Sequence, residues 1–128
     1  MTRTYRLTPE APQDRTFTID YQSLLNEQQL EAVTRFQGPV LCIAGAGSGK
    51  TRTLIYRVAR MLESGIAPDS ILLLTFTRKA ANNMLERVVT LVGAQGKSVA
   101  GGTYHSFAAA TLRKYGPHID LNSGFSII

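Results

Sequence analysis

A glycine-rich stretch in the first half of the chain is the feature that most constrains its fold. It reads Ala44-Gly-Ala-Gly-Ser-Gly-Lys-Thr51 and lies between a short apolar run, residues 40–44, and a helical pattern starting at Gly49. Strand, glycine loop, Lys-Thr and helix in that order are the layout of a phosphate-binding P-loop. Glycine accepts positive φ, so the loop can wrap an anion with its N–H groups beside the positive end of the helix. The alternative is a glycine-rich turn without a ligand, and Ala44 stands where the usual pattern begins with glycine.

The P-loop interpretation assigns roles to particular side chains. Lys50 would contact the β- and γ-phosphates of a nucleotide, and the Thr51 hydroxyl would bind Mg²⁺. These two are the candidate catalytic residues. The predicted nucleotide contacts in this stretch are Ala44, Gly45, Ala46, Gly47, Ser48, Gly49, Lys50, Thr51 and Arg52.

Length and composition set broad limits. The 128 residues predict one domain, with 44% hydrophobic and 18% charged residues as in an ordinary globular protein. The net charge of +5 permits a polyanionic partner, although a merely basic surface explains it too. Cys42 is the only cysteine, so no internal disulfide is possible, and because it lies inside the apolar run we interpret it as a small buried residue. No signal-peptide pattern and no run of ~18 apolar residues is found, which predicts a soluble cytoplasmic protein with no membrane partner.

Hydrophobic periodicity predicts alternating strands and helices. Strands are expected at residues 40–44, 71–76 and 98–103, with a weak edge strand at 16–20 and the start of another at 125–128. Helices are expected at 26–37, 49–64, 78–92 and 104–115. Inward-facing residues are predicted to be Leu30, Val33, Phe36, Leu54, Val58, Met61, Leu62, Ala81, Met84, Leu85, Val88, Phe107, Ala108, Thr111, Leu112 and Tyr115.

Three strand–helix units predict an α/β fold with a parallel sheet and right-handed crossovers. Ligands of such sheets bind beyond the carboxyl ends of the strands, which are Ala44, Phe76 and Thr103. Phe76 is compatible with a core position or with an exposed stacking platform. Thr77, or less readily Thr75, is a candidate cap for the helix that follows.

Other side chains allow two interpretations each. Asn26 and Gln29 have the spacing of a helix capping box, while the Gln29 amide could instead recognise the edge of adenine. Arg78 and Lys79 are either a solvated basic pair or the contact of a polyanion, which would offset their unfavourable place at a helix N-terminus. His105 is either structural or, with Tyr104, a nucleic-acid contact. One cysteine and two histidines are too few for a metal cluster.

With these segments in order, the chain resembles the UvrD/Rep/PcrA family of superfamily 1 DNA helicases over roughly residues 24–116. Residues 25–33 resemble the family's Q motif and residues 44–51 its motif I, in which alanine commonly occupies the first position. Residues 75–81 resemble motif Ia, and residues 102–105 resemble motif Ib.

The resemblance implies roles for these residues. Gln29 would contact adenine while still capping its helix, and Lys50 and Thr51 keep their phosphate and Mg²⁺ roles. Arg78 departs from the Asn often found at that position, and Tyr104 replaces the usual Phe. The implied single-stranded DNA contacts are Thr75, Phe76, Thr77, Arg78, Thr103, Tyr104 and His105.

The resemblance also implies an organisation. Residues 1–23 would be an N-terminal extension, and residues 24–128 the N-terminal part of a RecA-like P-loop NTPase domain. No apolar strand ends in Asp-Glu, so the Walker B motif is missing and we expect the natural gene to continue. The parent protein would use ATP and Mg²⁺ to move 3′ to 5′ on single-stranded DNA, whereas this segment alone would bind ATP or ADP weakly and be inactive. A small P-loop kinase and a DNA-binding module with a vestigial P-loop are the alternatives.

Overall fold

The structure, a computed structural model, describes residues 17–47 and 49–127. Helices and strands alternate after residue 50, and short 3₁₀ turns occupy Pro68–Ser70, Ala94–Ser98 and Gly116–Ile119. The main elements are α1 (Tyr21–Leu24), α2 (Glu27–Thr34), α3 (Lys50–Glu63), β1 (Leu72–Thr75), α4 (Arg78–Val92), β2 (Ala100–Thr103) and α5 (Tyr104–Tyr115). Within the described residues, no helix has both the length and the apolar character needed to cross a lipid bilayer.

The strands β1 and β2 pair in parallel, in a register that places Leu72 opposite Ala100 and Thr75 opposite Thr103. Parallel neighbours need a crossover connection, which α4 provides. The helix packs very closely on β2, because a Cβ atom at Gly101 would lie 2.6 Å from Cδ1 of Leu85. The predicted α/β class with parallel strands is therefore confirmed.

The main hydrophobic core lies between α3, α4 and the sheet. Buried positions on α3 follow helical spacing and include Ile55, Val58 and Leu62, which meet the β1 residue Leu73. The core cluster consists of Ile55, Val58, Leu62, Ile71, Leu73, Met84, Val88 and Val99. A second cluster joins the N-terminal helices to the other side of α3 and contains Tyr21, Leu25, Val33 and Tyr56.

A hydroxyl–carboxylate contact stabilises the second cluster. The Tyr21 hydroxyl donates to Glu63 at 2.6 Å, and the same carboxylate accepts from the backbone N–H of Thr18 at 2.8 Å. Burial and the hydrogen bond to Glu63 raise the pKa of Tyr21 far above its usual value, so the phenol stays protonated and keeps donating. The short N-terminal helix is thereby attached to the end of α3.

The predicted strand at residues 40–44 is not formed, which corrects one sequence-based expectation. Leu41 and Ile43 are 85% and 91% exposed, and Cys42 is exposed rather than buried. A strand that is apolar on both faces requires paired neighbours and helices covering both sides. Among the described residues the sheet contains only β1 and β2, so this run has no strand partner.

Two further strand predictions fail within the described residues. Residues 17–20 form bends, and the Asp20 carboxylate instead caps α1 by accepting from the Ser23 N–H at 3.3 Å. Residues 125–127 are irregular. The remaining ends of these two predictions, Thr16 and Ile128, lie outside the described residues.

The helices follow the predictions more closely. The boundaries of α4 and α5 are those predicted, and α3 is one residue shorter at each end than predicted. In contrast, α2 ends at Thr34 because Arg35 has an extended backbone. Several residues predicted to face inward are exposed because no described element covers that side: Leu54, Phe107, Ala108, Leu112 and Tyr115.

Candidate functional site

The glycine-rich loop leads directly into the first turn of α3. Gly47 and Gly49 have φ values of 74° and 83°, in the left-handed region that favours glycine, whereas Gly45 does not. Gly49 is the N-cap residue of α3, and its carbonyl accepts from both the backbone N–H and the hydroxyl of Thr53. Ser48 lies outside the described residues. The loop thus has, at positions 47 and 49, the left-handed backbone geometry that favours glycine.

Gln29 lies next to this loop. Its backbone N–H donates to Oδ1 of Asn26 at 2.8 Å, and its Oε1 accepts from the Asn26 N–H at 3.1 Å. The predicted capping box is therefore confirmed. The Nε2 atom of the same side chain would lie 3.0 Å from a Cβ atom at Gly49, so the Gln29 amide and the last loop glycine are in close contact.

Lys50 and Thr51 occupy the first turn of α3, and both are exposed. The four N–H groups at the start of a helix lack intrahelical partners, so they and the helix dipole favour an anion here. A cavity of about 410 Å³ opens beside Thr51, lined on the α4 side by Asn83, Glu86 and Arg87. Sequence analysis did not single out these α4 residues, because a polar helix face carries no motif.

The structure shows Arg52 in a different setting from its neighbours. Its Nη2 atom donates to the carbonyl oxygen of Leu24 at 2.9 Å, and the guanidinium lies over the Tyr56 ring at 5.2 Å. These contacts connect α3 to the α1–α2 junction. A direct contact of Arg52 with a nucleotide stays a prediction.

The donor set near the loop is suited to Mg²⁺ only together with a nucleotide. Among the described residues, no three His, Cys, Asp or Glu side chains are grouped to hold a metal ion. In the first turn of α3, directly after the loop, the Thr51 side chain is exposed and carries a hydroxyl oxygen. Mg²⁺ commonly takes few protein ligands and completes its shell with phosphate oxygens and water. Thr51 fits that pattern.

A second set of candidate residues follows the carboxyl ends of β1 and β2. Phe76 is 87% exposed and Tyr104 is 51% exposed, which excludes a core position for Phe76 in this structure. Their ring centroids are 5.5 Å apart with a 50° tilt. The paired strand ends, Thr75 and Thr103, bring these rings together, and we refer to Phe76 and Tyr104 as the aromatic pair.

The threonines around the aromatic pair are engaged in local hydrogen bonds. The Thr77 hydroxyl accepts from the Ala80 N–H at 3.1 Å, confirming the predicted cap of α4. The Thr75 hydroxyl donates to the Thr77 carbonyl at 2.9 Å. The Thr103 hydroxyl accepts from the Ser106 N–H at 3.1 Å and caps α5. These side chains thus shape the two loops.

Three cationic or titratable side chains complete this edge. Arg78 and Lys79 lie in the first turn of α4, His105 lies in the first turn of α5, and all three are exposed. The structure therefore brings the predicted DNA-contacting residues, in segments 75–79 and 103–105, together at one end of the sheet, where the aromatic pair is exposed.

Comparisons with known proteins support a specific family. The model of the UvrD/REP helicase N-terminal domain matches residues 25–128. The ATP-dependent DNA helicase PcrA of Staphylococcus aureus is 45% identical over 105 residues, which is 81% of this chain and 14% of PcrA. A probable DNA helicase II homolog of Rickettsia felis is 45% identical over 112 residues, covering 85% of this chain and 17% of that protein.

A probable DNA helicase II homolog of Rickettsia conorii is 44% identical, also over 112 residues. The chain thus spans only 14% to 17% of the length of these relatives. The family match nevertheless includes the glycine-rich loop, Gln29, the aromatic pair and both strands. From this coverage we conclude that the chain belongs to the UvrD/REP helicase N-terminal domain family.

Proposed function

We propose that the protein is an ATP-dependent 3′–5′ DNA helicase and that this chain supplies its ATP-binding and single-stranded-DNA-contacting surfaces. Residues 24–128 would be the N-terminal part of a RecA-like P-loop domain, with residues 1–23 as an extension. One observation carries the proposal: Gly47 and Gly49 adopt left-handed backbone in the loop that leads to Lys50, in a chain whose relatives are named DNA helicases.

The proposed nucleotide site uses the loop and two neighbouring helices. Backbone N–H groups of residues 44–49 surround the phosphates, and Lys50 neutralises them from the first turn of α3. Thr51 would hold Mg²⁺ through its hydroxyl, and Gln29 would contact adenine from α2. Hydrolysis of ATP supplies the free energy for movement along DNA, while these side chains bind and orient the nucleotide.

The proposed DNA surface is the aromatic pair with the cationic groups beside it. Exposed rings stack on bases of any sequence, and cations attract the phosphate backbone. Arg78, Lys79 and His105 supply charge and hydrogen bonds, while Thr75, Thr77 and Thr103 shape the two loops. We expect weak, salt-sensitive binding with little sequence preference.

The nucleotide site is tested by calorimetry of the 128-residue chain with Mg-ATP and Mg-ADP. Lys50→Ala should abolish the weak binding, because it removes the cation that faces the phosphates. Lys97→Ala, which alters an exposed lysine in the turn before β2, is the matched control and should bind like the unaltered chain. Equal affinity for the chain and for Lys50→Ala would show that the loop is not the nucleotide site.

The same measurements separate the helicase proposal from its alternatives. A kinase would transfer labelled γ-phosphate to a small acceptor, whereas we expect none. A vestigial P-loop would bind no nucleotide at all. We also expect no DNA-stimulated ATPase from this chain alone, because its sequence contains no Asp-Glu pair to activate water. ATPase activity that Lys50→Ala eliminates would contradict that expectation.

A further inference from the structure

The position of Gln29 depends on how α2 is held. The helix has eight residues, and isolated helices of that length are marginal in water. Tertiary contacts must therefore stabilise α2. On its inner face Val33 is fully buried against the cluster that contains Tyr56 of α3.

Arg57 of α3 holds the far end of this short helix. Its Nη1 atom donates to the carbonyl oxygen of Ala32 and, at 2.6 Å, to that of Arg35. The guanidinium also lies over the Phe36 ring at 5.7 Å. Carbonyls at the end of a helix lack intrahelical partners and carry partial negative charge, so a guanidinium is a favourable cap there.

Arg57 and Lys50 are on the same helix, which fixes α2 relative to the glycine-rich loop. The hydrogen bond from Arg52 to the Leu24 carbonyl holds the chain just before α2 begins. Two arginines of α3 thus hold the segments at the two ends of α2. The result is the close approach of the Gln29 amide to Gly49.

We propose that Arg57 is a positioning residue for adenine recognition. By holding α2, it keeps the Gln29 amide close to Gly49 and thereby favours the binding of ATP over GTP. This inference rests on the proposed function, in which Gln29 contacts adenine. Adenine presents a donor and an acceptor side by side, which one amide can match, whereas guanine presents two acceptors there. Oε1 of Gln29 accepts from the Asn26 N–H, and a carbonyl oxygen carries two lone pairs.

The test compares three ligands on the 128-residue chain: Mg-ATP, Mg-GTP and inorganic triphosphate, which has no base. Arg57→Ala should lower the ratio of ATP to GTP affinity by about fivefold or more, the range for one amide–base contact. Triphosphate affinity should stay unchanged, because Lys50 and the loop remain. Arg113→Ala is the matched control, since that arginine also lies over an aromatic ring but belongs to α5.

A double variant separates positioning from general stability. If Arg57 acts through Gln29, Arg57→Ala should have no further effect on the ATP to GTP ratio in a Gln29→Ala background. Arg57→Lys, which keeps the charge, should restore part of the ratio. Should Arg57→Ala fail to fold by circular dichroism, Arg57→Gln replaces it and should show the same loss of selectivity.

The outcomes distinguish this inference from the proposed function. An equal loss of affinity for all three ligands, or a double variant with additive losses, would show a merely structural role and overturn the inference. A ratio lowered by Gln29→Ala but not by Arg57→Ala would also overturn it and leave the adenine contact intact. A ratio unaffected by Gln29→Ala would overturn the adenine contact and this inference together, while Lys50→Ala still tests the phosphate site.

Discussion

Two apolar runs of this chain have similar sequences and different structures. Residues 71–75 read Ile-Leu-Leu-Leu-Thr, and the last four of them form β1, in which Leu73 is 5% exposed. Residues 40–44 read Val-Leu-Cys-Ile-Ala and remain irregular, with Ile43 91% exposed. The first run pairs with β2 and is covered by α3 and α4, whereas the second has no strand partner among the described residues. Apolar composition therefore permits a strand, and a paired neighbour decides whether it forms.

The largest expected effect on stability is at Leu73, the buried residue of β1. Leu73→Ala should lower the free energy of unfolding by about 2–5 kcal/mol, because it leaves a cavity among Ile55, Met84 and Val99. Leu72→Ala is the matched control in the same strand, since Leu72 is 45% exposed on the other face. Urea denaturation measures both. If the two substitutions are equally destabilising, the two faces of β1 do not differ in burial as the structure indicates.

The next largest effect is expected in β2, the strand that pairs with β1. Gly101→Ala places a Cβ atom 2.6 Å from Cδ1 of Leu85, so either α4 or the Leu85 side chain must move. This should lower the free energy of unfolding by about 1–3 kcal/mol. Gly45→Ala is the control, because a Cβ there meets nothing within 4 Å and the residue has no positive φ. Thermal unfolding of both variants should show a lower Tm for Gly101→Ala alone.

The next prediction concerns DNA binding by Phe76, the residue that follows β1. Phe76→Ala should weaken binding of a labelled oligo-dT by about 1–3 kcal/mol if a base stacks on the ring. The Tm should be unchanged, because Phe76 is 87% exposed. Tyr115→Ala alters another exposed aromatic residue on α5 and should leave affinity unaltered. Fluorescence anisotropy at low salt measures the affinities, and equal affinity for Phe76→Ala and the unaltered chain would contradict the proposed DNA surface.

The smallest effect is expected in residues 40–44, which have no strand partner among the described residues. Leu41→Ala and Ile43→Ala should each change the free energy of unfolding by less than about 0.5 kcal/mol, as for other exposed positions. The same urea experiment measures them. A loss comparable with that of Leu73→Ala would mean that residues 40–44 are packed in solution, and the contrast between the two runs would disappear.

Parts of the candidate site could be read from sequence because they depend on near neighbours. The Asn26–Gln29 capping box and the Thr77 cap have partners within three residues, and both form as predicted. The nearness of Gln29 to Gly49 could not be predicted, because it depends on the packing of α2 on α3. The contact of Arg57 with the end of α2 had no sequence signal, since an arginine on a helix is usually solvated.

The sequence by itself determined α4 and α5, α3 to within one residue at each end, and the left-handed backbone at Gly47 and Gly49. The boundaries of α4 and α5 agree with the prediction because the hydrogen bonds of a helix join residues four positions apart, and caps and glycines act locally. Tertiary structure alone decided that residues 72–75 form a strand and residues 40–44 do not, and that Phe76 is exposed beside Tyr104. A strand's hydrogen bonds join it to a segment far along the chain, so no local pattern of apolar residues can specify whether that partner is in place.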